Sequence, residues 1–262
     1  MAKVRDVYDY LNQIAPFDLQ ESYDNAGLLI GNFDNTVSAV LVCLDSTPEV
    51  VTEAIERGAN LIVAHHPIIF SGLKSITGSN YIEETIILAI KNNINIIAIH
   101  TNLDNILTNG VNEKIAQRLG LTNLKILSPL NDEGQLGAGI IGELSKSMTE
   151  SQFINSLKKS MELKVVRHTK FIDRDIRKVA VCGGSGSFLL GNAMHQQADA
   201  FITADFKYHQ FFDADGQLVI FDIGHYESEK YTIELLVDLI KNKFSNFATH
   251  YTKHITNPVF YN

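Results

Sequence analysis

Thiols are scarce in this 262-residue chain, which has only Cys43 and Cys182. Two cysteines cannot build a disulfide framework, and each sits in an apolar, strand-like run where a core thiol is expected in preference to a metal ligand. Long apolar stretches are missing too, so no helix is expected to cross a membrane. Lys and Arg number 22 against 30 Asp and Glu, a formal charge of -8. The clustered positive charge that phosphate backbones need is therefore lacking, and nucleic acid is not an expected partner. The first residues, Met1-Ala2-Lys3-Val4-Arg5-Asp6, show no apolar secretory stretch and run into a helical pattern at Val4, Val7, Tyr8 and Leu11. With 45% hydrophobic residues, a cytoplasmic protein with one large or two modest cores is expected.

The most informative stretch is Asn60-Leu61-Ile62-Val63-Ala64-His65-His66-Pro67. A short uninterrupted apolar run suits a strand covered on both faces. It stops at two adjacent histidines, and in parallel α/β sheets ligands collect beyond the carboxyl ends of strands. Neighbours on a strand face opposite ways, but Pro67 forces a turn that could let both rings converge. Buried core histidines are the alternative for this pair taken alone.

The same logic applies elsewhere. Ser38–Leu44 reads as a strand, Pro48 opens a helix stopped at Gly58, and the histidine strand completes a β-α-β unit. A helix over Tyr81–Lys91 leads into the strand Ile94–Ile99, which ends in His100-Thr101-Asn102-Leu103-Asp104-Asn105. Asp24 and Asn25 could line a pocket, but followed by Gly27 they read first as turn formers. Between Leu127 and Lys170, spaced glycines and a helix near Glu150–Ser160 suggest a connecting region. The second half repeats the layout: Lys178–Cys182 enters Gly183-Gly184-Ser185-Gly186-Ser187, Ala200–Asp205 is a further strand, and Gln217–Ile223 ends in Gly224-His225-Tyr226-Glu227-Ser228-Glu229. A helix follows, placing His225 and Glu229 at i and i+4 on one face, with Cβ atoms about 5 to 6 Å apart. A solvated first-turn Glu is the alternative reading of Glu229.

The expected architecture is α/β, with a first lobe over 1–126, a connecting region over 127–170 and a second lobe over 171–262. Three strand ends offer metal-type donors: His65 and His66, Asp104 with His100 beside it, and His225 with Glu229. Imidazole and carboxylate without thiolate suit zinc, manganese, iron, cobalt or nickel. Five ligands exceed the need of one catalytic ion and suit two sharing a carboxylate, which together lower the pKa of a water held between them and so favour hydrolysis. The glycine run after Cys182 could cradle a phosphate, but it lacks the Lys of a P-loop, and a plain tight turn is at least as good a reading. Lys74, Lys207 and His209 could meet a substrate phosphate or simply be solvated. Asp205 could hold Lys207 or a substrate hydroxyl, or cap the next helix. His168, His195, His250 and His254 fit no constellation.

Five ordered motifs also carry a resemblance: Ser22–Gly31, Ala64-His65-His66-Pro67, His100-Thr101-Asn102-Leu103-Asp104, Thr203–His209 and Gly224–Glu229. Together they resemble the GTP cyclohydrolase 1 type 2 homolog family, also called the Ngg-interacting-factor-three-like family, over almost the whole chain. The resemblance implies two similar α/β lobes with mainly parallel sheets facing across a metal-containing cleft, in a ring-shaped homohexamer. It implies that His66 and Asp104 serve one divalent ion, His65 and His225 the other, and that Glu229 bridges both and holds the reactive water. Opening of the GTP purine ring is the implied reaction, although such a donor set would serve phosphoester or amide hydrolysis equally. A metal-handling or scaffold protein acting through protein partners is the rival reading. The chain has no tryptophan, and Tyr23 stands where family members commonly have Trp before the Asp-Asn pair. The stretch between Leu127 and Lys170 is too short for the extra domain of some larger relatives.

Overall fold

The computed structural model describes residues 1–261. Its strands are β1 (Gly27–Ile30), β2 (Ala39–Cys43), β3 (Leu61–Ala64), β4 (Asn95–Ala98), β5 (Leu121–Pro129), β6 (Gly137–Met148), β7 (Arg167–His168), β8 (Ile176–Ser185), β9 (Ala200–Ala204), β10 (Val219–Asp222) and β11 (Ala248–Tyr251). Its helices are α1 (Val4–Ile14), α2 (Pro48–Glu56), α3 (Tyr81–Lys91), α4 (Thr101–Asp104), α5 (Val111–Leu119), α6 (Glu150–Ser160), α7 (Leu190–His195), α8 (His225–Glu229) and α9 (Thr232–Lys243). No helix among the described residues is long and apolar enough to cross a membrane. Cys43 and Cys182 are both buried and free.

The chain forms two compact units. The first comprises Met1–Leu103 and Thr232–Pro258, the second Asp104–Tyr231 with the tail residues from Val259 onward. The division therefore falls elsewhere than at 126 and 170, for two physical reasons. The glycine-spaced stretch is no connector: β5 and β6 pair as an antiparallel ladder within the second sheet. After the second sheet is complete, α9 and β11 return to the first unit, where β11 pairs in parallel with β2.

In the first unit the sheet order is β1-β4-β3-β2-β11. β2, β3 and β4 run parallel, and only β1 is antiparallel to its neighbour. Every residue of β2, β3 and β4 is buried, which is why these strands read as unbroken apolar runs. Helix α2 begins where Thr47 accepts a hydrogen bond from the Val50 amide and Pro48 occupies the first turn. Its Val50, Val51 and Ala54 pack with Leu41, Ile62 and Ile96 in the core.

The second unit has the order β5-β6-β8-β9-β10-β7. Here the expectation of mainly parallel pairing fails. Only β8-β9 and β9-β10 are parallel, while β5-β6, β6-β8 and β7-β10 are antiparallel. The likeness between the two halves is confined to a trio of parallel strands, β2-β3-β4 in one and β8-β9-β10 in the other. The glycines of β6 have a packing cause. A Cβ on Gly142 would lie 2.7 Å from Leu124 Cδ2 and 3.0 Å from the Thr122 carbonyl oxygen, so the neighbouring strand leaves no room for one.

Candidate metal centre

Each parallel trio ends in polar side chains. In the first unit the ladder continues beyond β3, since the amides of His65 and His66 donate to the carbonyls of Cys43 and Leu44. The two rings converge after all, with centroids 4.9 Å apart, and each stands 5.3 Å from the ring of His100 beyond β4. One ring nitrogen from each of His65, His66 and His100 lies within 4.8 Å of the others.

The supports of these rings decide what they can do. His65 Nδ1 donates to the Ile99 carbonyl at 2.8 Å. His66 Nδ1 is 2.8 Å from Asp45 Oδ1, and His100 Nδ1 is 2.8 Å from Asp24 Oδ1. Carbonyl and carboxylate oxygens only accept, so each Nδ1 carries the proton and Nε2 keeps its lone pair for a cation. Asp24 also accepts from the Thr101 amide at 3.1 Å and the Thr101 hydroxyl at 2.5 Å. Burial works against its charge, yet the hydrogen bonds from His100, Thr101 and the Asn25 amide hold its carboxyl down at about 2.

In the second unit, α8 places His225 Nε2 3.1 Å from Glu229 Oε2. His225 Nδ1 is 2.7 Å from Asp205 Oδ2, so the same tautomer argument applies. A lone pair on Nε2 would then face a carboxylate, an arrangement that a shared cation or a second ring proton relieves. Asp205 adopts φ 60°, a conformation rare for residues other than Gly and one that clusters at functional sites. The Gly183 amide donates to Asn112 Oδ1 at 2.8 Å, and the Gly184 amide to Ser228 Oγ at 2.9 Å. These two amides are spent inside the protein, so neither is available to a phosphate. A Cβ on Gly184, at φ 61°, would fall 2.3 Å from Glu229 Oε1. Asp104 accepts at its carbonyl from Asn112 Nδ2 at 3.1 Å. Burial pushes the Cys182 thiol up, and the charges of Asp104 and Glu229 push it further. Both carboxylates therefore act on one buried thiol.

Of the five sequence-derived ligands, His65 and His66 belong to the first unit and Asp104, His225 and Glu229 to the second. Three residues were given lesser roles by the sequence. His100 was seen beside Asp104 but not chosen as a ligand, Asp24 was read as a turn former, and Asp205 was not linked to His225. Adjacency of His100 to the Thr101-Asn102-Leu103-Asp104 turn was the available signal for the first. For the two aspartates the family motifs Ser22–Gly31 and Thr203–His209 marked the position but not the partner, which lies 76 and 20 residues away. Lys74, Lys207 and His209 are exposed. His168, His195, His209, His250 and His254 join no group of three metal-type donors among the described residues.

Imidazoles and carboxylates gathered at the strand ends of a two-sheet mixed α/β protein define a candidate metal-binding protein. The family model of Duf34/NIF3 (NGG1p interacting factor 3) matches residues 2–258, and the chain belongs to that family. A Clostridium perfringens protein called GTP cyclohydrolase 1 type 2 homolog is 37% identical over 228 residues, 87% of each chain. A Staphylococcus epidermidis protein of the same name is 30% identical over 365 aligned positions, covering 98% of this chain and 99% of its own. That alignment exceeds the 262 residues present here, so the relative holds residues this chain lacks. Among solved structures, a Bacillus cereus protein related to NIF3 superposes with a TM-score of 0.90 at 27% identity, covering 99% of both chains. A hypothetical protein from Staphylococcus aureus gives 0.90 at 31%, again over 99% of both.

Proposed function

We propose that this protein is a divalent-metal-dependent hydrolase in which His65, His66, Asp104, His225 and Glu229 hold two ions, with Glu229 shared between them. The observation that supports this best is the common state of the histidines. Four rings, at three different strand ends, each have Nδ1 tied to an oxygen acceptor, the support that metal-ligating histidines use. His100, within the first cluster, joins the set as a further donor. The donors are all nitrogen and oxygen, which fits zinc, manganese, iron, cobalt or nickel. When bound, such ions supply Lewis acidity and bring the pKa of a coordinated water toward neutrality. The chain's own residues fix the tautomers through Asp24, Asp45, Asp205 and Ile99, and Glu229 Oε2 lies beside His225 Nε2.

The names of the relatives put nucleotides among the substrates to test, and assembly as a homohexamer is proposed alongside. The experiment is a hydrolysis screen of metal-loaded protein against nucleotides, phosphoesters and amides, with Glu229→Gln in parallel. Turnover by the wild type that is lost in the variant identifies the bond cleaved. Two bound ions with no turnover on any class would instead favour a metal-handling role exercised through protein partners.

A further inference from the structure

The C-terminal segment of the first unit reaches the support of the histidine cluster although no metal ligand lies in it. Beyond β11, the Thr252 amide donates to the Val42 carbonyl at 3.0 Å. The Thr252 hydroxyl and the Lys253 amide both donate to Glu53, at 2.7 and 2.9 Å. Glu53 is buried on α2 and paired with Arg57 at 2.8 Å, so the segment is fastened to a fixed point. Four residues after this anchor, the Thr256 hydroxyl donates to Asp45 Oδ2 at 2.5 Å. The other oxygen of that carboxylate, Oδ1, is the one that holds His66 Nδ1.

We propose that Thr256 is a positioning residue of the metal site, its hydroxyl fixing the Asp45 carboxylate that in turn fixes the His66 ring. This rests on the metal reading above. Two observations carry it. First, the Asp45 side chain is 37% exposed, and on this water-accessible carboxylate the Thr256 hydroxyl holds the oxygen that His66 does not. Second, the same device occurs at His100. There Asp24 gives Oδ1 to the ring and Oδ2 to the hydroxyl of Thr101. At His100 the threonine is the next residue in the chain. At His66 it lies 211 residues from Asp45 in sequence, so the end of the chain supplies locally what β3 and its turn do not.

Cobalt(II) titration of the metal-stripped full-length protein tests this, read by affinity and by the cobalt absorption band. Loss of the residue supporting a ligand typically lowers metal affinity by about 10- to 100-fold, and Asp45→Asn is expected in that range. Thr256→Val, nearly the same shape, is expected to weaken cobalt by about 10-fold, the low end of that range, and to move the band. Thr256→Ser keeps the hydroxyl and is expected to bind like wild type. The double variant Asp45→Asn/Thr256→Val is expected to lose no more than Asp45→Asn alone, because the two act in series. Wild-type binding by Thr256→Val, or equal losses in Thr256→Ser, would each overturn the inference alone. A wild-type protein that takes up no cobalt would overturn the metal reading and the inference with it.

Discussion

An imidazole offers two nitrogens, and the acceptor given to one determines what the other can do. Asp45, Asp24 and Asp205 make that choice for His66, His100 and His225. Removing the charge of the acceptor while keeping the size of the side chain should therefore weaken metal without unfolding the protein. Asp205→Asn is expected to lower metal affinity by about 10- to 100-fold, Glu229→Gln to lower it further, and His195→Ala to leave it unchanged, all read by calorimetric titration. A large loss in His195→Ala would mean that the wrong histidines carry the site. Gly184→Ala tests the room made for Glu229. The left-handed backbone alone costs about 1–2 kcal/mol for a residue with a Cβ, and the methyl would displace Glu229 Oε1. Metal affinity should fall at least as far as in Asp205→Asn, and an unchanged affinity would remove Glu229 from the ligand set. The histidines and carboxylates at strand ends were legible in the sequence because each run of buried residues stops at them. Their supporting aspartates were not, since which carboxylate meets which ring is fixed by tertiary contacts.

At the scale of elements, the parallel strands of the first unit were readable because burial on both faces gives unbroken apolar runs. β6 was not, because close approach of β5 demands glycine where a strand signal would need larger side chains. Nor did the amphipathic pattern of α9 say which sheet it covers, and it returns to the first. The break between α8 and α9 at Lys230 and Tyr231 was also unseen, although it leaves the His225–Glu229 spacing intact. One element carries a pH prediction. Glu83, in the first turn of α3, accepts from the backbone amides and hydroxyls of Thr77 and Ser79 at 2.8 to 3.0 Å. These bonds, led by the Ser79 amide, hold its carboxyl at about 2 against an ordinary 4.5. A carboxyl lowered by folding stabilises the protein above its unfolded value, and that stability is lost as pH falls through the folded one. Glu83→Gln should thus melt below wild type at pH 7, with the two curves converging between about pH 4.5 and 2. A constant gap across that window would contradict the assignment.

For the whole molecule, a bound metal would add to folding stability, because its site is absent from the unfolded chain. Anything that binds the folded state alone raises its stability, by about 2.7 kcal/mol at one hundred times Kd. Added Zn2+ or Mn2+ should therefore raise the melting temperature of the wild type and raise that of Glu229→Gln much less. Light scattering tests the proposed six-chain assembly, and a mass near that of one 29.2 kDa chain would contradict it. The central claim is most directly tested by counting metal ions per chain, by elemental mass spectrometry, in tag-free protein stripped with chelator and reloaded, alongside Glu229→Gln. Two ions in the wild type and fewer in the variant are predicted. No metal in the wild type would contradict the account, and two ions held at unchanged affinity by Glu229→Gln would contradict the shared carboxylate.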